Sequence, residues 1–305
     1  MSSDLEGLVV AVTASRRANE LAHLVAVHGG TPFIAPTVGI ESGAATDAEA
    51  ERFCSFLHGQ RVDVAIFMTG PGVFSLFSAA RALRREDALK EDLSKTEVVV
   101  RSAKPKDALV RHGVRVDRIP SDATSEGILE LLRGATAGKR VAVLSHGSDS
   151  TRLVDGLREG GAEVHEFSTY SYSLETSPTG AQILESMRFN PVMPARSRVS
   201  ELIDEILGGR ISVITFTSPP SASNLFEVAT ASGKAGPLRS MLNSGVLVVA
   251  VGPPTRATIE RNGVAVDVMP SVYKMGPMIK ETCDHVRGKG ARKGMGGGAP
   301  AVGEP

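Results

Sequence analysis

Short runs of aliphatic residues alternate along the chain with longer stretches in which apolar positions recur at helical spacing. Leu8-Val9-Val10-Ala11-Val12 is a continuous apolar run, the pattern of a strand buried on both faces. Thr13-Ala14-Ser15 follows, and Arg17 to His28 then places Leu21, Leu24, Val25 and Val27 among polar residues, which predicts a helix with one apolar face. Gly29-Gly30 closes that helix, because glycine takes the left-handed conformation cheaply. The same unit recurs as Arg140-Val141-Ala142-Val143-Leu144, Ser145-His146-Gly147, Leu153 to Glu159 and Gly160-Gly161. Strands alternating with helices predict parallel sheets covered by helices on both faces.

A second kind of unit (apolar strand, Thr/Ser/Pro turn, helix, strand, helix) is expected near residues 62–133 and again near 211–286. Its clearest signature is His112-Gly113-Val114-Arg115-Val116-Asp117-Arg118-Ile119-Pro120-Ser121, which returns 150 positions on as Asn262-Gly263-Val264-Ala265-Val266-Asp267-Val268-Met269-Pro270-Ser271. Phe67-Met68-Thr69-Gly70-Pro71 is likewise answered by Phe216-Thr217-Ser218-Pro219-Pro220, and Val98-Val99-Val100 by Val248-Val249-Ala250. A solenoid needs at least about three repeats, so two copies predict duplicated α/β domains facing each other across a cleft, where ligands tend to bind. Two pairings are open: consecutive units pack together, or one domain is inserted in the other. Glu175 to Ser200 carries Pro178, Gly180, Pro191 and Pro194 and reads as a long surface loop, an insertion with some helix around Ala181 to Met187.

Composition narrows the function classes. The 305 residues suit two domains of the usual ~100–200. Aromatic residues make up only 4% of the chain and Trp is absent, so the cores must be aliphatic. Lys+Arg and Asp+Glu balance at 34 each, which gives no global field to draw nucleic acid or an anionic membrane. Cys54 and Cys283 lack CxxC spacing and are expected to stay reduced, a disulfide between them being the alternative. The N-terminal residues lack the basic and apolar regions of a signal peptide, and no run of ~18 apolar residues occurs. A cytoplasmic protein is expected. Residues 288–305 are so rich in glycine that a disordered tail is expected.

No GxSxG, HExxH, P-loop or GxGxxG is present, and the seven histidines show no paired ligand spacing, so no metal is expected. His146 falls in a turn after a strand, where a lone histidine is more often structural. What recurs is hydroxyl chemistry after the strands: Thr13, Thr69, Ser102, Ser145, Thr217, Ser218 and Thr255. Ligands of open α/β sheets bind outside the carboxyl ends of the strands, and helix N-termini there suit carboxylates or phosphates. Each hydroxyl alone reads as a helix cap; the set together reads as an anion-binding cleft.

The ordered series resembles the uroporphyrinogen-III synthase family over about residues 7–286. The matching motifs are Val10-Ala11-Val12-Thr13 with Gly29-Gly30, Phe67-Met68-Thr69, Gly113 with Pro120, Gly161-Ala162-Glu163-Val164 leading to Tyr170, Phe216-Thr217-Ser218-Pro219 and Gly252-Pro253-Pro254-Thr255. The resemblance implies two similar parallel-sheet, flavodoxin-like domains joined by two extended linkers, one inserted in the other. It places residues 1–36 with 174–287, residues 42–167 as the inserted domain, and linkers at 37–41 and 168–173. It further implies a cofactor-free, monomeric enzyme that takes hydroxymethylbilane, a linear octacarboxylate tetrapyrrole. The reaction loses water from the hydroxymethyl group, inverts ring D through a spiro intermediate and closes the macrocycle. The electron-rich pyrrole drives it, so the protein must mainly hold one conformer and help hydroxide depart. By resemblance Tyr170 is the proton donor, with Tyr172 the alternative. Thr13, Thr69, Ser145, Thr217, Ser218 and Thr255 would bind substrate.

This chain departs from the family's Gly-Pro-x-Thr-like turn. The second copy is Gly252-Pro253-Pro254-Thr255, and the first is Ser102-Ala103-Lys104-Pro105, where proline stands in place of threonine and removes a donor. The middle domain is then expected to bind substrate through Arg101, Ser102, Lys104 and backbone amides. A second reading is a non-catalytic synthase-like domain that senses a tetrapyrrole or small anion. A third is a two-domain solute-binding protein.

Overall fold

The computed structural model describes residues 4–145, 150–174, 176–186 and 191–289. The chain divides into two compact units, the first comprising Met1–Gly39, Ser173–Glu175 and Phe189–Pro305, the second Ile40–Tyr172 and Thr176–Arg188. His146 and the tail beyond residue 289 lie outside the described residues, while Gly288 and Lys289 still belong to the last helix. No helix of the described residues is long and apolar enough to cross a membrane.

The chain opens on β1 (Val9–Val12), α1 (Ala18–Val27) and β2 (Thr31–Ile34). Helix α1 buries Ala18, Leu21, Ala22 and Val25, whereas Val27 is 40% exposed. Two residues beyond Val25, Val27 stands about 200° around the axis, so the predicted apolar face is narrower than the sequence pattern suggested. Strand β3 (Gly39–Glu41) then leads into the second unit: α2 (Ala44–Gly59), β4 (Val64–Phe67), α3 (Gly70–Ala82), α4 (Glu86–Ser94), β5 (Glu97–Val100), α5 (Ala103–Arg111), α6 (Ser125–Leu131), β6 (Arg140–Ser145), α7 (Thr151–Glu159) and β7 (Glu163–Ser168). Strand β8 (Ser171–Ser173) pairs with β3 in a two-stranded sheet. After α8 (Pro178–Ser186) the first unit resumes with α9 (Arg196–Leu207), β9 (Val213–Phe216), α10 (Pro219–Ala231), α11 (Ala235–Ser244), β10 (Leu247–Ala250), α12 (Pro253–Arg261) and α13 (Met275–Lys289).

Each unit holds a four-stranded, all-parallel sheet, ordered β10-β9-β1-β2 in the first and β5-β4-β6-β7 in the second. Of the two pairings left open by the repeat, the inserted one holds, since β1 lies in register with β9, Val10 opposite Val213 and Val12 opposite Thr215. Successive side chains enter opposite layers, as strand geometry requires. In β4, Ala65 and Phe67 join the cluster of Phe53, Leu76 and Phe77, while Val64 and Ile66 join that of Ile128, Val141 and Leu153. In the first unit Ala11 packs with Leu202, Ile214 and Leu225, and Val10 and Val12 with Leu21, Val249 and Ile279. Cys54 and Cys283 are both free and buried.

The stretch read as a surface loop is more ordered than its prolines suggest. Pro178 opens α8, where its missing N–H costs nothing, and α9 starts at Arg196, just beyond Pro194. Residues 176–188 belong to the second unit, not the first. Ile183 is buried at 3% exposure, and Gly180 approaches the Ile40 carbonyl so closely that any Cβ would overlap it.

The repeated Gly-Val-x-Val-Asp segment guards the sheet edges. Strands β5 and β10 are outermost, and an uncovered edge strand invites pairing with another chain. Asp117 Oδ2 accepts the Val98 N–H at 2.7 Å, and Asp267 Oδ2 accepts the Val248 N–H at 2.8 Å. The backbone beyond adds isolated parallel bridges, Val99 to Arg118 and Val249 to Val268. The chain reaches these positions by turning at Gly113 and Gly263, whose φ values of 78° and 80° favour glycine. A Cβ on Gly113 would meet nothing within 4 Å. Gly113→Ala is therefore expected to cost about 1–2 kcal/mol from backbone conformation alone. Asp267→Ala, which strands the Val248 amide, is expected to cost about 1–3 kcal/mol. Urea unfolding of each variant, read at unchanged m value, checks both.

Candidate active site

In the second unit the chain leaves β4 through Met68 and enters α3 at Thr69, the N-cap residue, whose Oγ1 accepts the Gly72 N–H at 3.2 Å. The Tyr170 hydroxyl lies 3.0 Å from the same Thr69 Oγ1 and 3.3 Å from the Tyr172 hydroxyl. A phenol has one proton and can also accept, so Tyr170 is the middle of a continuous line of three hydroxyls. The two rings meet edge to face, 5.3 Å apart at 88°. Tyr170 is fully buried (0% exposed), whereas Tyr172 is half-buried.

The backbone around Tyr170 is fastened to α3. Thr169 Oγ1 donates to the Gly72 carbonyl at 3.0 Å, and Ser75 Oγ donates to the Thr169 carbonyl. Gly72 leaves room for the phenol, since a Cβ there would stand 3.1 Å from Thr69 Oγ1 and 3.5 Å from the Tyr170 ring.

Beside this line, the first turns of α3 and α5 lie together, a Cβ on Gly70 standing 3.5 Å from the Lys104 carbonyl oxygen. Gly70 is N1 of α3, and Ala103 and Lys104 are N1 and N2 of α5; all three carry an N–H. Ser102, the N-cap of α5, is half-buried and its side chain makes no cap bond. Arg101 donates its backbone N–H to the Phe67 carbonyl at 3.1 Å, and its half-buried guanidinium makes no ion pair among the described residues. Lys104 is exposed. Two cations, a hydroxyl and two positive helix ends thus lie on adjoining turns, a chemistry that suits carboxylates.

The equivalent ends in the first unit are chemically different. Helix α10 begins Pro219-Pro220 and α12 begins Pro253-Pro254, so neither offers an N–H at its first two positions. Thr217 and Ser218 are half-buried, and Ser218 is an N-cap without a side-chain cap bond.

A family model described as uroporphyrinogen-III synthase HemD matches residues 19–280. The chain belongs to the uroporphyrinogen-III synthase family. It is 30% identical over 264 residues to a putative uroporphyrinogen-III synthase of Methanothermobacter thermautotrophicus, an alignment covering 86% of this chain and 92% of that protein. An uncharacterized protein of Bacillus subtilis is 24% identical over 290 residues, covering 95% of this chain and 100% of the relative. A crystal structure of mutant uroporphyrinogen III synthase from Thermus thermophilus superposes with a TM-score of 0.64 at 23% identity, covering 93% of this chain and 100% of that one, and so shares its fold.

Within this synthase fold, four of the hydroxyls expected to bind substrate, those of Thr13, Thr69, Ser145 and Thr255, are buried, and the first three are engaged inside the protein. Thr13 is 0% exposed and donates to the Thr215 carbonyl at 2.8 Å, tying β1 to β9. Ser145 donates to the Glu166 carboxylate at 2.6 Å, and Ser150 donates to the same oxygen. A carboxylate in that position repels a carboxylated ligand. Thr255 is buried in the first turn of α12. The structure thus brings together Thr69, Tyr170 and Tyr172, with Arg101, Ser102 and Lys104 on the neighbouring turn of the same unit. Tyr273, 58% exposed with its ring over the α12 turn (a Cβ on Gly252 would stand 3.3 Å from Tyr273 Cγ), escaped the sequence reading. The signal available was its place just after the repeated Pro270-Ser271. Thr69→Val removes both the helix cap and the partner of Tyr170, and is expected to lower stability by about 1–2 kcal/mol; an unchanged urea midpoint would show that the hydroxyl holds nothing.

Proposed function

We propose that the protein is a uroporphyrinogen-III synthase that cyclises hydroxymethylbilane with inversion of ring D, acting as a cofactor-free monomer in the cytoplasm. The observation that carries this reading is the hydroxyl line of Thr69, Tyr170 and Tyr172 beside a cationic pair of helix ends. Loss of the hydroxyl from the hydroxymethyl group as water needs one proton on the departing oxygen, while the carbon stays on the pyrrole to close the ring. Tyr172, the half-buried phenol, is the member placed to deliver it, and Tyr170 positions and polarises Tyr172 from behind. The pyrrole ring then carries the positive charge, which its electron-rich π-system spreads. Ring closure through the spiro intermediate releases a proton from carbon, restoring the phenol, so no external acid, base or redox partner is consumed. Arg101, Ser102, Lys104 and the Gly70, Ala103 and Lys104 amides hold substrate carboxylates in the conformer that closes with inversion.

Incubation with hydroxymethylbilane formed in situ, followed by oxidation and separation of porphyrin isomers, tests the proposal. Spontaneous closure yields isomer I, and dominant isomer III is expected. Tyr172→Phe is expected to lower the rate of isomer III formation by at least about 100-fold, the scale of a lost general acid, with Tyr170→Phe less affected. The reverse order would make Tyr170 itself the donor. Isomer I alone, from folded protein, would support the non-catalytic binding domain instead.

A further inference from the structure

At the amino end of β1, opposite the hydroxyl-bearing turns, three side chains from three distant segments converge within the first unit. Asp4 precedes β1, His28 follows α1, and Cys283 lies on α13. One ligand atom from each, a carboxylate oxygen, an imidazole nitrogen and a thiol sulfur, all fall within 4.8 Å of one another. We propose that Asp4, His28 and Cys283 form a binding site for a zinc-class divalent metal ion that clips the N-terminal segment to the C-terminal helix.

The second observation is an orphaned atom. His28 Nδ1 is buried and makes no hydrogen bond among the described residues. An unsatisfied buried nitrogen costs about 1–3 kcal/mol and calls for a partner. Cys283 beside it is buried at 2% exposure. The geometry is near what a tetrahedral ion needs: bonds of about 2.0–2.3 Å place ligand atoms about 3.3–3.6 Å apart, so small side-chain movements close the set. The mixture of nitrogen, sulfur and oxygen suits zinc or cobalt, whereas magnesium and calcium take oxygen alone. With three protein ligands, water fills the fourth position.

The surroundings hold the ligands in place. The Leu5 N–H donates to the His28 carbonyl at 3.0 Å, fixing Asp4 beside the imidazole. Arg287 donates to both Asp4 oxygens, at 3.1 and 2.8 Å, and thereby lowers the carboxyl pKa. An ionised carboxylate offers about four lone-pair sites, so Asp4 can bind the ion while Arg287 orients it from outside, as outer partners of metal ligands do. Burial raises the Cys283 thiol to about 11. It is therefore protonated at neutral pH, and coordination displaces that proton to solvent as the metal–sulfur bond forms.

Cobalt(II) is the probe, since zinc is spectroscopically silent. Titration of the full chain is expected to produce a near-ultraviolet thiolate-to-cobalt charge-transfer band with tetrahedral visible absorption, both erased by one equivalent of zinc. Cys283→Ser should abolish the charge-transfer band, and His28→Gln should weaken zinc binding at least about 10-fold. Zinc should also protect Cys283 from alkylation in the unmutated protein, a readout that stands even where a variant fails to fold. The proposal is overturned by absence of the band in unmutated protein, by its persistence in Cys283→Ser, or by unchanged zinc affinity in His28→Gln.

Discussion

Strand β1 has one neighbour about twenty residues away and another about two hundred residues away, and the rest of the architecture follows from that pair. A parallel strand buried on both faces must have its N–H and C=O groups taken up on both sides. On one side β2 does this after a single helix; on the other, Val10 and Val12 wait for Val213 and Thr215. Thr13 and Thr215 reinforce the junction, each hydroxyl donating to a carbonyl of the other strand's segment at 2.8 Å. The chain between must therefore leave and return, which is why the second unit is an insertion and why two crossing strands, β3 and β8, exist at all.

Duplication has preserved the scaffold and released the chemistry. Both sheets keep the same strand order, the same glycine turn and the same aspartate on the edge amide. Their loop ends have diverged in opposite directions. The second unit keeps backbone donors and adds Arg101 and Lys104, whereas the first has replaced its leading helix amides by prolines. Pro105 is buried within the first turn of α5, where it offers neither a hydroxyl nor an N–H.

Much of the fold was legible because it is written in periodicity. The runs at Val9–Val12, Val64–Phe67 and Val213–Phe216 are apolar at nearly every position, as strands buried on both faces tend to be. Helix α8 was half-hidden because proline signals a break without saying on which side of it a helix begins. The site was less legible. Thr13, Thr69 and Thr217 look alike in sequence, yet one hydroxyl is used up within the sheet, one caps a helix and one is left half-exposed. That difference depends on which carbonyl lies opposite, a property of cross-strand register. The burial of Tyr170 beneath α3, and the meeting of Asp4, His28 and Cys283, likewise arise from segments far apart in the chain, beyond the reach of local spacing.

The split sheet also sets an order of assembly on the ribosome. Domains generally fold as units, N-terminal first, while synthesis proceeds at about 5–20 residues per second. Here the earliest strand belongs to the unit finished last. All four strands of the second sheet have been made by Ser168, whereas β1 and β2 await β9 and β10. The nascent N-terminus therefore carries an apolar strand open on the side that β9 will take while the second sheet is already complete, and Thr13, polar and awaiting its carbonyl, follows that strand with a residue ill-suited to a wrong partner.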